Sequence, residues 1–322
     1  MRPILRLCAA LAAAGFAAAA LAQGTYPNKP VKVIVPFAAG SATDQIARAF
    51  TAKIQEALGQ PFVVDNKPGV NGMLGADALA KSPPDGYTIM VGTNSTNAAL
   101  KSLMKKLPYD QDTAFAPIAY MGQVPLIVAV NNDVPAKTLK ELVDMARAKP
   151  GSVTFASAST SQLVSSEVLA SMAGVQMTNV PYKSGPAAMT DLIGGQVMMF
   201  TADFAVMLPQ VQGGKVRGLA VTSARRSPAV PNLPTVNEAL GLKDYELIAY
   251  FAAFAPAGTP ADVIRKLNEA FNAAASSKDI AEKFSALGFV PDPGTPEALA
   301  QRTKAETVKW AKAIKDAKIE PQ

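Results

Sequence analysis

The chain has 322 residues, 49% apolar, 17% charged and 7% aromatic, with a formal net charge of +6, no histidine and one cysteine, Cys8. That composition is globular, too apolar for disorder, and at this length it predicts two lobes of roughly 150 residues each. It excludes histidine-dependent triads, His/Cys metal sites, disulfides and cysteine-ligated haem or iron–sulfur groups. Carboxylate, lysine, tyrosine or hydroxyl chemistry remains, or binding without chemistry.

The first 22 residues combine Arg2 and Arg6, an Ala/Leu-rich stretch and a small-x-small end at Ala20-Leu21-Ala22. These are the three parts of a secretory signal peptide, and cleavage after Ala22 is expected. The apolar run from Leu7 falls short of the ~20 residues a spanning helix needs. Cys8 opens that run, whereas a lipid-carrying cysteine stands at its end. A periplasmic protein that is not membrane-embedded is therefore expected, and its stability must come from packing. The basic residues are scattered, and Lys101, Lys105 and Lys106 read as a solvated helix face. No basic stripe with interleaved aromatics marks a nucleic-acid partner.

Short β-rich runs alternate with helices along the whole chain. Val31–Val35 reads as a strand, and residues 44–58 as a helix with Ile46, Phe50, Ile54 and Leu58 on one face and Gly59 as its stop. Residues 62–64, 87–91 and 126–130 continue the strand series, and Thr138 to Glu141 is a capping box opening a helix. Further strands are predicted at 153–155, 177–180, 197–200 and 216–221, separated by helices. Thr259-Pro260 and Thr295-Pro296 mark two more helix starts, the second leading to the last helix with Trp310. This alternation predicts an α/β fold with parallel strands, whose ligands bind outside the strand carboxyl ends. Loops of that kind span residues 36–43, 92–97, 156–161 and 200–204, each small, polar and nearly free of charge.

Several segments carry a resemblance in unbroken order. They are YPNKPVKVIVPFAAGSATD (26–44), GQPFVVDNKPG (59–69), DGYT (85–88), VPYKSG (180–185), DLIGGQV (191–197), GLAVT (218–222), LPTV (233–236) and APAGTP (255–260). Together they resemble the Bug-type solute-binding proteins of the tripartite tricarboxylate transporters. The resemblance implies a type II, Venus-flytrap periplasmic-binding fold. Its lobe 1 would comprise 23–124 and 230–322, and its lobe 2 would comprise 125–229, with hinges near 121–125 and 223–232. It further implies capture of a small carboxylate by a monomer and delivery to the membrane permease subunits of the transporter, with neither cofactor nor catalysis. The family grips its carboxylate with one loop per lobe, and these map onto Phe37 to Asp44 and onto residues 157–162. Here Gly40-Ser41 replaces the usual Gly-Gly pair, and Ala158, Ser159, Thr160 and Ser161 replace a glycine-rich stretch.

A helix N-terminus offers unpaired amides and roughly half a positive charge, so it binds carboxylate without a cationic side chain. The candidate ligand residues are Phe37, Ala38, Ala39, Gly40, Ser41, Thr43 and Asp44 in the first loop, and Thr93, Asn94 and Ser95 in the second. Ala158, Ser159, Thr160 and Ser161 follow, with Tyr182, Asp203 and Phe204. Bland readings stand beside these. Ser41 and Thr43 suit helix caps, Asp44 suits a helix first turn, Asp203 suits a cap, and Asn66 to Gly69 suits a structural turn. Gly69, Gly72 and Gly75 lack dinucleotide spacing, and Asp110 and Asp112 lack the further oxygens of a calcium loop. Two other functions fit the chain. One is a sensor subunit presenting ligand to a receptor kinase. The other is an extracytoplasmic hydrolase, though no G-x-S-x-G elbow is present. With no histidine, binding is expected to vary little from about pH 6 to 8.

Overall fold

The computed structural model describes residues 26–285 and 288–321. The expected signal peptide and Cys8 lie outside them. In chain order, the first group of elements is β1 (Val31–Val35), α1 (Ala42–Leu58), β2 (Phe62–Asn66), α2 (Met73–Ala80) and β3 (Thr88–Thr93). A π-helical turn, Ser95–Ala99, then runs into α3 (Leu100–Leu103), followed by β4 (Phe115–Val124). The second group comprises β5 (Leu126–Asn131), α4 (Leu139–Ala148), β6 (Thr154–Ser157), α5 (Thr160–Met172), β7 (Thr178–Pro181) and α6 (Gly185–Ile193). It continues with β8 (Met199–Asp203), α7 (Phe204–Gln212), β9 (Val216–Val221) and α8 (Val236–Leu240). The chain then adds β10 (Ala249–Pro256), α9 (Ala261–Ala275), α10 (Lys278–Ser285), β11 (Val290–Pro291) and α11 (Pro296–Asp316).

The fold is α/β with two sheets, a six-stranded one in the order β11-β4-β10-β3-β1-β2 and a five-stranded one in the order β7-β6-β8-β5-β9. Both sheets are mixed rather than purely parallel. β1 pairs in parallel with β2 and β3, and β6 with β7 and β8, but β10 runs antiparallel to β3 and β4 and β5 antiparallel to β8 and β9. The antiparallel strands are those that carry the chain between the sheets. Only Pro125 separates β4 from β5, so one nearly continuous strand serves both.

Local sequence explains the helix that matters most. Ile46, Phe50 and Ile54 of α1 are fully buried against the first sheet, and Ser41 caps the helix by accepting the Asp44 amide. Gly59 ends it with a φ of 66°, a left-handed turn that favours glycine.

Residues 230–248, placed with lobe 1 from sequence, differ in the structure. Val236, Tyr245 and Leu247 bury among Leu139, Leu142 and Val143 of α4, because α8 turns its apolar side onto that helix. The chain regains the first sheet only at β10. The last helix ties the two halves together. Leu299, near its start, packs with Ile34 and Tyr250, while Trp310 and Ile314 enter the cluster of Phe155 and Leu163. The Trp310 indole donates to Glu306 Oε2 at 2.8 Å.

Candidate functional site

A cleft of about 550 Å³ opens between the two sheets' lobes, walled by the loops that follow β1, β3, β6, β7 and β8. The loop between β1 and α1 forms one wall, with Phe37, Ala38, Ser41, Ala42 and Thr43 facing the space. The amides of Ala42 and Thr43 precede the first intrahelical hydrogen bond of α1, and both residues line the cavity.

A small network behind this loop fixes its shape. Asp44 Oδ2 accepts from the Gly40 amide at 3.0 Å, and Oδ1 accepts from Arg48 Nε and Asn66 Nδ2, each at 3.0 Å. Asn66 Nδ2 also donates to the Phe37 carbonyl at 2.9 Å. Burial alone would raise the Asp44 carboxyl, but the hydrogen bonds from Arg48, Gly40 and Asn66 together with the Arg48 charge hold it below the usual carboxylate range. Asp44 therefore shapes the loop from behind and does not line the cavity; its first-turn position and its hold on Gly40 are two aspects of one arrangement. Ala39 and Gly40 are exposed and also lie off the lining. Gly40 has a φ of +80°, and a Cβ there would stand 3.7 Å from Pro186 Cγ across the cleft.

The loop at residues 157–162 bonds the amides of Ala158, Ser161 and Gln162 within the protein. Gln162 Oε1 accepts from the Ala158 amide at 2.8 Å, and Ser159 Oγ accepts from the Gln162 amide at 3.5 Å. Ser95 Oγ, from the other lobe, accepts from the Ser161 amide at 3.0 Å. Ala158, Ser159, Ser161 and Ser95 line the cleft, whereas Thr160 is fully buried away from it, because the first helical residue of α5 points into the lobe.

Thr93 and Asn94 stand at the floor. Asn94 is fully buried; its Nδ2 donates to the Ile248 carbonyl at 3.0 Å, and its Oδ1 has no protein partner. Thr93 Oγ1 is likewise unpartnered. Tyr182 lines the opposite wall, its hydroxyl donating to Asp191 Oδ2 at 2.9 Å, and burial together with that carboxylate pushes the phenol up to about 12.

Asp203 ends β8 at the N-cap of α7, yet its side chain makes no capping bond and faces the cavity. Burial pushes its carboxyl up to about 6, partly offset by hydrogen bonds from its own amide and from Gln162. The flat pH behaviour expected from the absence of histidine thus meets a carboxylate that titrates near the edge of that range. Phe204, the next residue, is fully buried in the core and absent from the lining, since α7 turns it to the side opposite Asp203.

Other walls escaped the sequence reading. Pro68–Gly72 lines the cleft beside Phe37, and a Cβ on Gly72 would meet Thr96 Cγ2 at 2.6 Å, so glycine is required for that approach. The N-terminus of α6 contributes Lys183, Ser184 and Gly185, with Ser184 capping the Ala187 amide. Gln162, Val206, Ala249 and Phe251 complete the lining. The α6 wall falls within the segment VPYKSG, of which Tyr182 alone is a candidate from sequence; nothing in the composition of residues 249–251 marks a cavity. Among the described lining residues, only Lys183 and Asp203 carry a formal charge.

Two α/β lobes about a cleft, with helix N-termini turned inward and hardly any charge, define a solute-binding protein. The model of the TctC family, described as tripartite tricarboxylate transporter family receptor, matches residues 46–319. The chain belongs to that family. It is 36% identical over 309 residues to Protein BugT of Bordetella pertussis, covering 95% of this chain and 94% of that protein. The solved structure of R. palustris Rpa4515 with adipate superposes with a TM-score of 0.89 at 33% identity, covering 92% of this chain and all (100%) of the other. MatC (Rpa3494) from Rhodopseudomonas palustris with bound malate gives a TM-score of 0.85 at 32% identity, covering 90% of this chain and 100% of that one.

Proposed function

We propose that the cleft captures a small carboxylate outside the cytoplasm and that the protein hands it to the membrane permease subunits of a tripartite tricarboxylate-type transporter. In this reading the mature chain starts at Gln23, works as a monomer in the periplasm and catalyses no reaction. The observation that carries it is the N-terminus of α1. Its first residues, Ala42 and Thr43, line the cavity, their amides precede the first intrahelical hydrogen bond, and Asp44, Asn66 and Arg48 brace the loop before them. Neutral donors of this kind seat a carboxylate while avoiding burial of a cationic side chain. Adipate and malate in the two related structures belong to the same chemical class.

Ser41, Thr43, Ser95, Ser159 and Ser161 supply hydroxyls around that seat, and Phe37 and Phe251 supply apolar wall. Ligand bridging the lobes shifts the population toward the closed form. Calorimetry of the purified mature protein against mono- and dicarboxylates tests the reading. One-to-one binding with a matching rise in melting temperature is expected. Absence of heat and of thermal shift across the panel overturns it.

A further inference from the structure

We infer that the chain has a second ligand site, a groove between α11 and the π-helical turn, which takes an aromatic anion and acts through that turn on the contact between the lobes.

The groove has a volume of about 460 Å³ and shares no lining residue with the cleft. One wall is a stripe of α11 formed by Ala300, Thr303, Lys304, Thr307 and Val308, whose spacing of three and four puts them on one helix face. Asn97, the Lys101–Asp112 ion pair, Phe115 of β4 and Phe254 of β10 form much of the rest. Phe251, three residues earlier on β10, lines the cleft and joins a different core cluster, so the two cavities use opposite faces of that strand.

The walls select the occupant. Tyr109, Phe115 and Phe254 form an edge-to-face series, with ring centroids 5.3 and 6.5 Å apart and planes inclined at 66° and 62°. The series ends at the groove, where an aromatic body adds one more ring in a favoured arrangement. Val308, 67% exposed on the same stripe, offers apolar surface for that body to cover. Charge sets the second requirement. Asp112 neutralises Lys101, whereas Lys304 forms no ion pair among the described residues, which leaves the lining one positive charge in excess. Thr303 Oγ1 is buried without a hydrogen-bond partner, a cost that an acceptor on the ligand offsets.

The π-helical turn leads from groove to cleft. Asn97 lines the groove, and Thr93, Asn94 and Ser95 line the cleft. Between them, Thr96 Oγ1 accepts the Thr93 amide at 2.9 Å and donates to Asn97 Oδ1 at 2.7 Å. A Cβ on Gly92 would stand 2.2 Å from Asn97 Oδ1, so glycine is required for this close packing. Ser95 Oγ, on the same turn, accepts the Ser161 amide of the other lobe. Contiguous packed and hydrogen-bonded groups of this kind carry coupling between sites, and single π-helical turns are frequent at functional positions.

The probe is 2-naphthoate, titrated by calorimetry into the mature chain, with 2-naphthylmethanol as its uncharged counterpart. The acid is expected to bind about fivefold or more tighter than the alcohol. Ala300 is exposed on the groove wall, so Ala300→Trp fills the groove without entering the core and should weaken 2-naphthoate about tenfold or more. Lys304→Gln should bring acid and alcohol to similar affinity. Hydrogen exchange at the Ser161 amide should slow when 2-naphthoate is bound, and that slowing should vanish in Ala300→Trp. Absence of 2-naphthoate binding, or equal binding by parent and Ala300→Trp, overturns the site. An advantage of the acid that survives Lys304→Gln overturns its preference for an anion. Unchanged Ser161 exchange with the groove filled overturns its action on the lobes. None of these results touches carboxylate capture, which rests on the other cavity. Thermal melts of each variant establish that it is folded.

Discussion

Asp44 reaches back four residues to accept the Gly40 amide at 3.0 Å, and so holds the turn that leads into the first residues of α1 at the cleft wall. Replacing it with alanine frees Gly40, Asn66 and Arg48 at once. Hydrogen bonds to a charged group are each worth about 1.5–3 kcal/mol, so Asp44→Ala should lose at least that much stability and bind ligand far more weakly. Urea unfolding and calorimetry measure the two effects. Because the folded-state pKa of Asp44 is depressed, its stabilisation is present above its unfolded value and disappears as pH falls through the folded one. The gap between parent and variant should therefore close only in acid.

Gly40 itself sits at φ +80°, facing Pro186 across the mouth. Gly40→Ala adds backbone strain of about 1–2 kcal/mol and an ordinary contact with the proline. Gly40→Val adds branched bulk between the lobes and should abolish binding while the protein stays folded. Wild-type affinity in the valine variant would remove this loop from the site.

Ser95 and Ser161 join the lobes directly, since Ser95 Oγ accepts the Ser161 amide at 3.0 Å and lies 3.4 Å from its hydroxyl. Ser95→Ala leaves a helix-terminal amide without that acceptor, at a cost of about 1–3 kcal/mol to the closed arrangement. Small-angle scattering of the ligand-free variant should show a larger radius of gyration than the parent. Equal radii would mean the contact does not hold the lobes together.

Asp203 shifts in the direction opposite to Asp44. Its folded pKa of about 6 lies above the unfolded value, so its contribution is full below the unfolded pKa and declines as pH rises toward 6. Asp203→Asn should thus gain stability over the parent progressively between about pH 4 and 6. Melting curves of parent and variant over that range decide the point.

Much of this architecture is readable from residues alone, and the exceptions have physical causes. Ser41, Thr138 and Thr295 announce their helices because capping is local chemistry. The strand β10 is buried at every position, so Ala-Tyr-Phe-Ala-Ala-Phe-Ala-Pro shows no alternation, and its alanines argue against a strand. The strand β4 carries Pro117 and Gly122, which read as breaks, and its ladder with β10 shifts register twice. The loops after β1, β3 and β6 were found because a strand-to-helix turn is visible in sequence. The exclusion of Thr160 and Phe204 from the cleft depends on which way the first residue of each helix turns, and that is set by packing.

Trp310 tests the last helix as a tie between the halves. Its indole is fully buried in the second lobe's cluster while Leu299 of the same helix packs on the first sheet. Trp310→Ala should cost about 3–5 kcal/mol. Thermal unfolding should then split into two transitions if the helix couples the lobes, and stay single if it does not.

Pro125, alone between β4 and β5, bears on how fast the cleft exchanges its contents. A proline ring locks φ near −65°, so at that residue only ψ is free to turn. Motion of one lobe against the other then resembles torsion of a stiff pin along the strand more than the swing of a loose joint. Such a pivot narrows the paths by which the lobes part, and softening it with Pro125→Gly should quicken ligand release more than it weakens ligand capture.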